Sequence, residues 1–266
     1  MRARLRGPLY NDATDAERMR NLKIVVAYVG TRYAGWQIQP KSPTVQGVLE
    51  AALSRTLGEP VRIAGAGRTD AGVHARAQVA NFATTTRMPA AGLLRAINTR
   101  LPEDVRVLRI EEAEESFHAR ADALAKEYRY RIVRAEVVSP FIAPFVLTVR
   151  TPLDLEAMRR AARRLIGRLD FTSFCPTQCR VNDKVRDLVA SEILEAGDEV
   201  EYRVRADGFL HHMVRTIVGT LLLVGRGRLA AEGIAAILEA RDRRAAGPVA
   251  PARGLVLERV FYEEGT

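Results

Sequence analysis

An α+β fold is what this 266-residue sequence predicts, and two features carry the prediction. Short stretches of two-residue alternation recur in both halves of the chain, as in "VHARAQV" at 73–79 and "KEYRYRIV" at 126–133, and that period belongs to half-buried strands. Mixed among them are segments with apolar residues three and four apart, bounded by capping residues on one side and glycine or proline on the other, which is how helices are written.

Taken in order, "LKIVVAYV" at 22–29 predicts a buried strand, followed by the loop "GTRYAGWQIQP" with the sole tryptophan, Trp36. Ser42 and Pro43 supply a cap and a first-turn proline for a helix. Its apolar face is Val45, Val48, Leu49, Ala52, Leu53 and Leu57, and Gly58 and Pro60 end it. "VRIAGA" at 61–66 reads as a strand running into "AGAGRTDAGVHA" at 64–75, so Asp70 is expected in a loop between strands. A second helix is expected near 90–98 and a strand at 105–110.

The acidic "EEAEES" at 111–116 is the best domain boundary, which divides the chain into 21–113 and 114–266 after an extension, residues 1–20, expected to lack order. Beyond the boundary "TPLDLEAMRRAARRLIG" predicts a helix capped by Thr151, with Pro152 in its first turn and Asp154 in a capping-box position. Arg159, Arg160, Arg163 and Arg164 fall on its polar side. Residues 185–206 read as two strands turning at Gly197 and Asp198, followed by helices at 209–224 and 229–241 and a last strand in "GLVLERVFY". The two halves share an element order only loosely at this level.

A formal net charge of +9 and a pI near 10.0 point to an acidic partner, nucleic acid ahead of an anionic membrane. Only four of the 41 basic residues are lysine, and guanidinium groups both fork onto phosphates and stack on bases. Cys175 and Cys179, in "CPTQC", have no second pair beside them, so they read as structural thiols of a reduced compartment, here the cytoplasm. The longest apolar run, "TIVGTLLLVG" at 216–225, is too short to span a membrane, and the first twenty residues lack the apolar core of a signal peptide.

The chemistry concentrates at 64–75. Gly65, Gly67 and Gly72 imply a turn or a close approach to the backbone. A dinucleotide fingerprint needs glycine where Asp70 stands, and a phosphate loop needs Lys-Ser/Thr after Gly72, where the chain has Val73 and His74. What remains is Asp70 itself, as nucleophile, general base, metal ligand or turn former. Metal ligation needs companions, and His74 is the one nearby in sequence; no metal and no cofactor is expected.

"AGRTDAGVHA" resembles the signature of the pseudouridine synthases, and the likeness runs from about residue 22 to 262. "GTRYAGWQ", "TVQGVLEAAL", "FHAR", "YRYRI", "DFTSF" and "HHMVRTIVGTLL" stand in that family's order. One departure is Val29, where the family usually has an acidic residue; a local effect on its loop is expected. The resemblance implies two ferredoxin-like or RNA-recognition-like halves, mainly antiparallel, with Asp70 in a basic cleft between them. It implies isomerisation of uridine to pseudouridine in the anticodon stem and loop of tRNA, at tRNA positions 38, 39 and 40, by a homodimer.

In such an enzyme the match to Asp70 is the nucleophile, attacking the uracil ring or the ribose. The base must leave its stack. Arg68 is then the candidate for filling the vacated place, and Tyr128 matches the family's active-site tyrosine. Arg215 in "HHMVR" would pair with Asp70 and hold it ionised. His211 and His212 would contact RNA or cap the helix, and Phe171 and Phe174 read as packing. The competing readings are a catalytically silent RNA binder of the same fold and a metal-dependent hydrolase using Asp70 with His74.

Overall fold

The computed structural model describes residues 19–179 and 181–263, so the expected extension lies, up to residue 18, outside the described residues. Strand β1 (Arg20–Tyr28), helix α1 (Val45–Leu57), β2 (Ala64–Gly65), β3 (His74–Thr84), α2 (Ala90–Asn98) and β4 (Val105–Ala113) form the first half. β5 (Ala125–Arg134), β6 (Leu147–Val149), α3 (Leu155–Arg163), β7 (Gly167–Asp170), β8 (Val185–Ala196), β9 (Glu199–Ala206), α4 (Met213–Gly225), α5 (Gly233–Ala240) and β10 (Leu255–Phe261) form the second.

All ten strands join one sheet, in the order β4-β1-β3-β10-β5-β9-β8-β7, with β2 beside β3 and β6 beside β5. With β6, β7 and α5 set aside as additions to the second half, both halves trace strand, helix, strand, strand, helix, strand. In the first, β4, β1, β3 and β2 lie side by side; in the second, β10, β5, β9 and β8 do. The ladders within each of these quartets are antiparallel. The repetition that the sequence shows only loosely is therefore plain in the topology. The halves meet where β10 pairs in parallel with β3 through Val256↔His74 and Leu257↔Ala75. β10 so ties β3, which follows the Asp70 loop, to Tyr128's strand β5.

The alternations hold. Leu22, Ile24, Val26 and Tyr28 are buried along β1, and Tyr128, Tyr130 and Ile132 along β5, with Glu127, Arg129 and Arg131 between them on the other face. The helix caps differ from expectation. Thr44 Oγ1, not Ser42, accepts the Gly47 N–H at 3.3 Å, and Asp154 Oδ1, not Thr151, accepts the Ala157 N–H at 2.9 Å. Pro43 and Pro152 precede these caps, where their fixed φ suits the extended approach to a helix.

"VRIAGA" contributes only the two residues of β2, because the preceding backbone is bonded elsewhere. Val61 N–H donates to Ser54 Oγ at 2.9 Å and Ile63 N–H to Glu50 Oε1 at 3.1 Å, both on α1. α4 begins at Met213 and not 209, after His212, whose backbone is left-handed (φ 60°). α5 is likewise shorter than the expected 229–241. Phe171 and Phe174 are fully buried against each other, as packing residues are.

Candidate active site

Asp70 stands in the β2–β3 connection, residues 66–73, and the loop is pinned by hydrogen bonds. Gln78 Nε2 donates to Gly67 O at 2.9 Å, Tyr28 and Thr69 hydroxyls meet at 2.7 Å, Trp36 N–H donates to Thr69 O at 3.1 Å, and Val73 N–H to Asp70 O at 3.1 Å. Two glycines make this possible. Gly72 is left-handed (φ 78°), and Gly65 lies so close under the Trp36 indole that a Cβ there would meet its Cε2 at 2.6 Å. The backbone freedom spent here thus seats a tryptophan and turns the chain, leaving the Asp70 carboxylate on a fixed support. Val29 causes no visible gap in acidity: Asp104 accepts from Arg32 Nε at 2.8 Å and Tyr33 Oη at 2.7 Å, bracing the neighbouring loop.

The second half supplies what faces the carboxylate. Arg215 Nη1 donates to Asp70 Oδ2 at 2.9 Å, joining residues 145 positions apart, and Arg215 Nε donates to Ala250 O at 2.8 Å, which fixes the guanidinium. The pair is mostly shielded, with 15% and 17% of the two side chains exposed. His211 Nε2 lies 3.5 Å from Oδ1 and His212 Nε2 3.6 Å from Oδ2, the two imidazoles stacked with centroids 3.8 Å apart. Burial lowers the His212 pKa against the pull of Asp70, so the ring is held neutral. These histidines make no side-chain cap of α4, as the sequence allowed; their rings turn to Asp70. The strained backbone at His212 is consistent with a site that fixes a side chain at local cost.

Tyr128 is buried, its ring edge-on to Phe209 at a centroid distance of 5.1 Å. Burial, and the nearby Asp70 carboxylate, raise its phenol pKa well above the usual value, so it stays protonated. Arg68 belongs to the same loop but is exposed and pairs with no carboxylate among the described residues. The structure therefore brings Asp70, Arg215 and Tyr128 together, adds His211 and His212, and leaves Arg68 at the rim. The sequence marks both histidines as RNA contacts or a helix cap, and the structure sets them beside Asp70.

His74 is not a companion of Asp70. It is buried, accepts the Gly30 N–H on Nδ1 at 3.0 Å and sets Nε2 3.2 Å from Arg253 O. The hydrolase reading loses its second ligand. One ligand atom each from Asp70, His211 and His212 does lie within 4.8 Å of the others, a spacing that suits a metal ion. Yet Arg215 already occupies Oδ2, so an incoming cation meets a fixed positive charge on the oxygen it would need.

Comparison with known proteins decides the family. A family model described as tRNA pseudouridine synthase matches residues 24–122 and 161–263. The chain belongs to that family. Curated relatives named tRNA pseudouridine synthase A include those of Exiguobacterium sp. AT1b (48% identical, covering 92% of this chain and 99% of the relative). Others are from Moorella thermoacetica (49%, covering 91% and 99%) and Myxococcus xanthus (44%, covering 93% and 94%). Membership places the pinned aspartate, the buried tyrosine and the shielded ion pair in a family of RNA-modifying isomerases. Among the described residues no helix is long and apolar enough to cross a membrane.

Proposed function

We propose that this chain isomerises uridine to pseudouridine in the anticodon stem and loop of tRNA, with Asp70 as the nucleophile. The observation that carries the reading is a carboxylate held on a pinned loop and met at 2.9 Å by a buried-stem arginine from the other half of the chain. The carboxylate adds to the uracil ring or to the ribose, and the glycosidic C–N bond breaks. The base turns and rejoins the ribose through C5, the bond to Asp70 breaks to return the free carboxylate, the C5 proton leaves and N1 ends protonated. No redox equivalent or energy carrier is consumed.

Arg215 supports this by donating to Asp70 Oδ2 at 2.9 Å, which fixes the carboxylate's rotamer and aims it into the site. Tyr128, protonated and wedged against Phe209, offers a face to the extruded base. Arg68, exposed in the same loop, is free to reach the gap that the base leaves in the RNA. His74's seat in the core and Arg215's hold on Asp70 disfavour the hydrolase, and the intact Asp70–Arg215 pair disfavours a silent binder. We further propose a cytoplasmic homodimer dividing at residues 113/114 into two units per chain, with sedimentation as the check on its subunit number.

The test is release of tritium from C5 of uridine in unmodified tRNA. Wild-type protein releases it, and Asp70→Asn releases none while its affinity for the RNA changes little, since phosphate contacts dominate binding. Turnover by Asp70→Asn defeats the nucleophile assignment, and no release by the wild type defeats the reaction.

A further inference from the structure

Lys126 lies two residues before Tyr128 on β5, so both side chains project from the same face of the sheet. Its stem runs against the Asp70 loop: the Cβ position of Gly67 is 3.2 Å from Lys126 Cε. Across β9, whose Ala206 pairs with both Lys126 and Leu188, Arg186 reaches the β9–α4 connection, where the Cβ position of Gly208 lies 3.5 Å from its Nε. Arg120 completes the group, near enough for its charge to act on Lys126. Its backbone is fixed, because Arg120 N–H donates to His118 Nδ1 at 3.1 Å and the neighbouring Ala119 is bonded on both sides, to Asn81 Oδ1 at 2.9 Å and Tyr262 Oη at 2.7 Å.

Among the described residues these cations lack carboxylate partners, although Arg186 Nη1 donates to the backbone carbonyls of Asp183 and Val185. Lys23 pairs with Glu111 at 3.0 Å, whereas among the described residues Lys126, Arg120 and Arg186 have no carboxylate within ion-pair distance. Burial and repulsion from Arg120 and Arg186 depress the Lys126 ammonium, and Asp207 is the acid that pulls the other way. A half-buried ammonium among like charges is unfavourable until an anion joins it. Two loops that hold the Asp70 site bring it there, so the anion it awaits is one that accompanies a base into the cleft.

We propose that Lys126, with Arg120 and Arg186, is a binding site for a backbone phosphodiester of the RNA beside the nucleotide that enters the cleft. The proposal rests on the RNA-modifying reading above and adds a residue that neither the family match nor the motif assigns. Lys126 is a positioning residue: by fixing one phosphate it sets how far the neighbouring base reaches toward Asp70.

The experiment uses full-length protein and a synthetic anticodon stem-loop RNA, with binding followed by fluorescence anisotropy across a salt series in the Asp70→Asn background. Lys126→Gln is expected to weaken binding roughly tenfold at moderate salt and to reduce the salt slope by about one ion, while Lys126→Arg restores both. A single uncharged methylphosphonate linkage, moved along the RNA, should weaken the Lys126 protein at one position near the target uridine and leave Lys126→Gln unaffected there. Should Lys126→Gln melt early, Arg120→Gln, at an exposed position, must show the same shallower slope. Unchanged affinity and slope in a folded Lys126→Gln protein, or methylphosphonate effects identical in both proteins, overturn the site. Tritium release by wild-type protein is measured alongside, so loss of the phosphate site and loss of the isomerase reading give different results.

Discussion

The β2–β3 connection of the first half and the β8–β9 connection of the second occupy the same place in the same topology, and they are built in opposite ways. β8 and β9 pair from Leu188 to Ala196 and turn within two residues at Gly197 and Asp198. β2 pairs with β3 through Ala64 and Gly65 alone, and eight residues follow before β3 begins. The first half has traded a strand for a loop. The backbone groups released from the ladder are bonded instead to Tyr33, Trp36, Gln78, Val79 and α1, so the loop is as firmly held as the strand it replaces. The lesson is that one fold can stay intact while a carboxylate is placed by shortening a single strand, with backbone groups released from the ladder bonded to neighbouring elements.

The sharpest way to break this comparison is to exchange the two aspartates' roles in experiment. With Asp70 as the proposed nucleophile, Asp70→Asn should cost at least ~10⁴-fold in tritium release. Asp198→Asn, at the exposed tip of the equivalent hairpin, should cost nothing measurable. Equal effects would mean that the loop matters as scaffold and not as chemistry.

A smaller effect is expected one step away. Arg215→Met leaves the Asp70 carboxylate shielded without its guanidinium, so the rate should fall about 10²-fold and stability by about 1–3 kcal/mol. Arg215→Lys should recover part of the rate, because it keeps the charge but not the bond to Ala250 O. Stopped-flow or single-turnover assays and thermal melts check both. A rate loss without a stability loss would show that the pair works on substrate and does not tie the halves together.

The glycines sharpen the comparison further. Gly72 and Gly197 both have positive φ, 78° and 58°. Each Gly→Ala change should cost about 1 kcal/mol of stability, as a left-handed L-residue does. Only Gly72→Ala should also slow turnover, because only its bend carries the proposed nucleophile.

The half-buried strands were legible in the sequence because alternation survives wherever one face of a sheet meets a core, and Asp70 was legible because its neighbours are too small and too flexible for a regular element. The caps were misplaced by two or three residues. Ser42 and Thr44 flank Pro43, and Thr151 and Asp154 flank Pro152; pattern alone does not say which polar side chain finds the N–H three positions on. The shortening of β2 was hidden because its cause is a pair of side chains on α1, Glu50 and Ser54, that take the N–H groups of Ile63 and Val61. Arg215's partnership spans 145 residues and entered by resemblance. Lys126 read only as the start of a strand, since nothing local reveals a loop from the other half lying against its stem.

The smallest expected effect concerns His74, which joins the halves where β3 meets β10. Its neutral ring accepts from Gly30 on Nδ1, so the proton sits on Nε2 and is donated toward Arg253 O at 3.2 Å. Burial lowers its pKa below the ordinary 6.5, which is the value expected in the unfolded chain. The neutral form is thus favoured by folding: the contribution is complete above pH ~6.5 and is lost as pH falls toward and through the lowered folded value, where the unfolded chain binds more protons than the native one. His74→Gln, which keeps an acceptor and a donor without a charge to gain, should flatten the acid limb of the melting-temperature profile between pH 7 and 5. Its equivalent in the second half by topology, on β9, is Glu199, a surface residue paired with Arg131, and Glu199→Gln should leave the same limb unaltered above pH 5, because its own titration is depressed by that arginine. An unchanged acid limb in His74→Gln would show that this join tolerates a charged imidazole, and that the parallel β3–β10 contact is carried by its two backbone pairings and not by the ring between them.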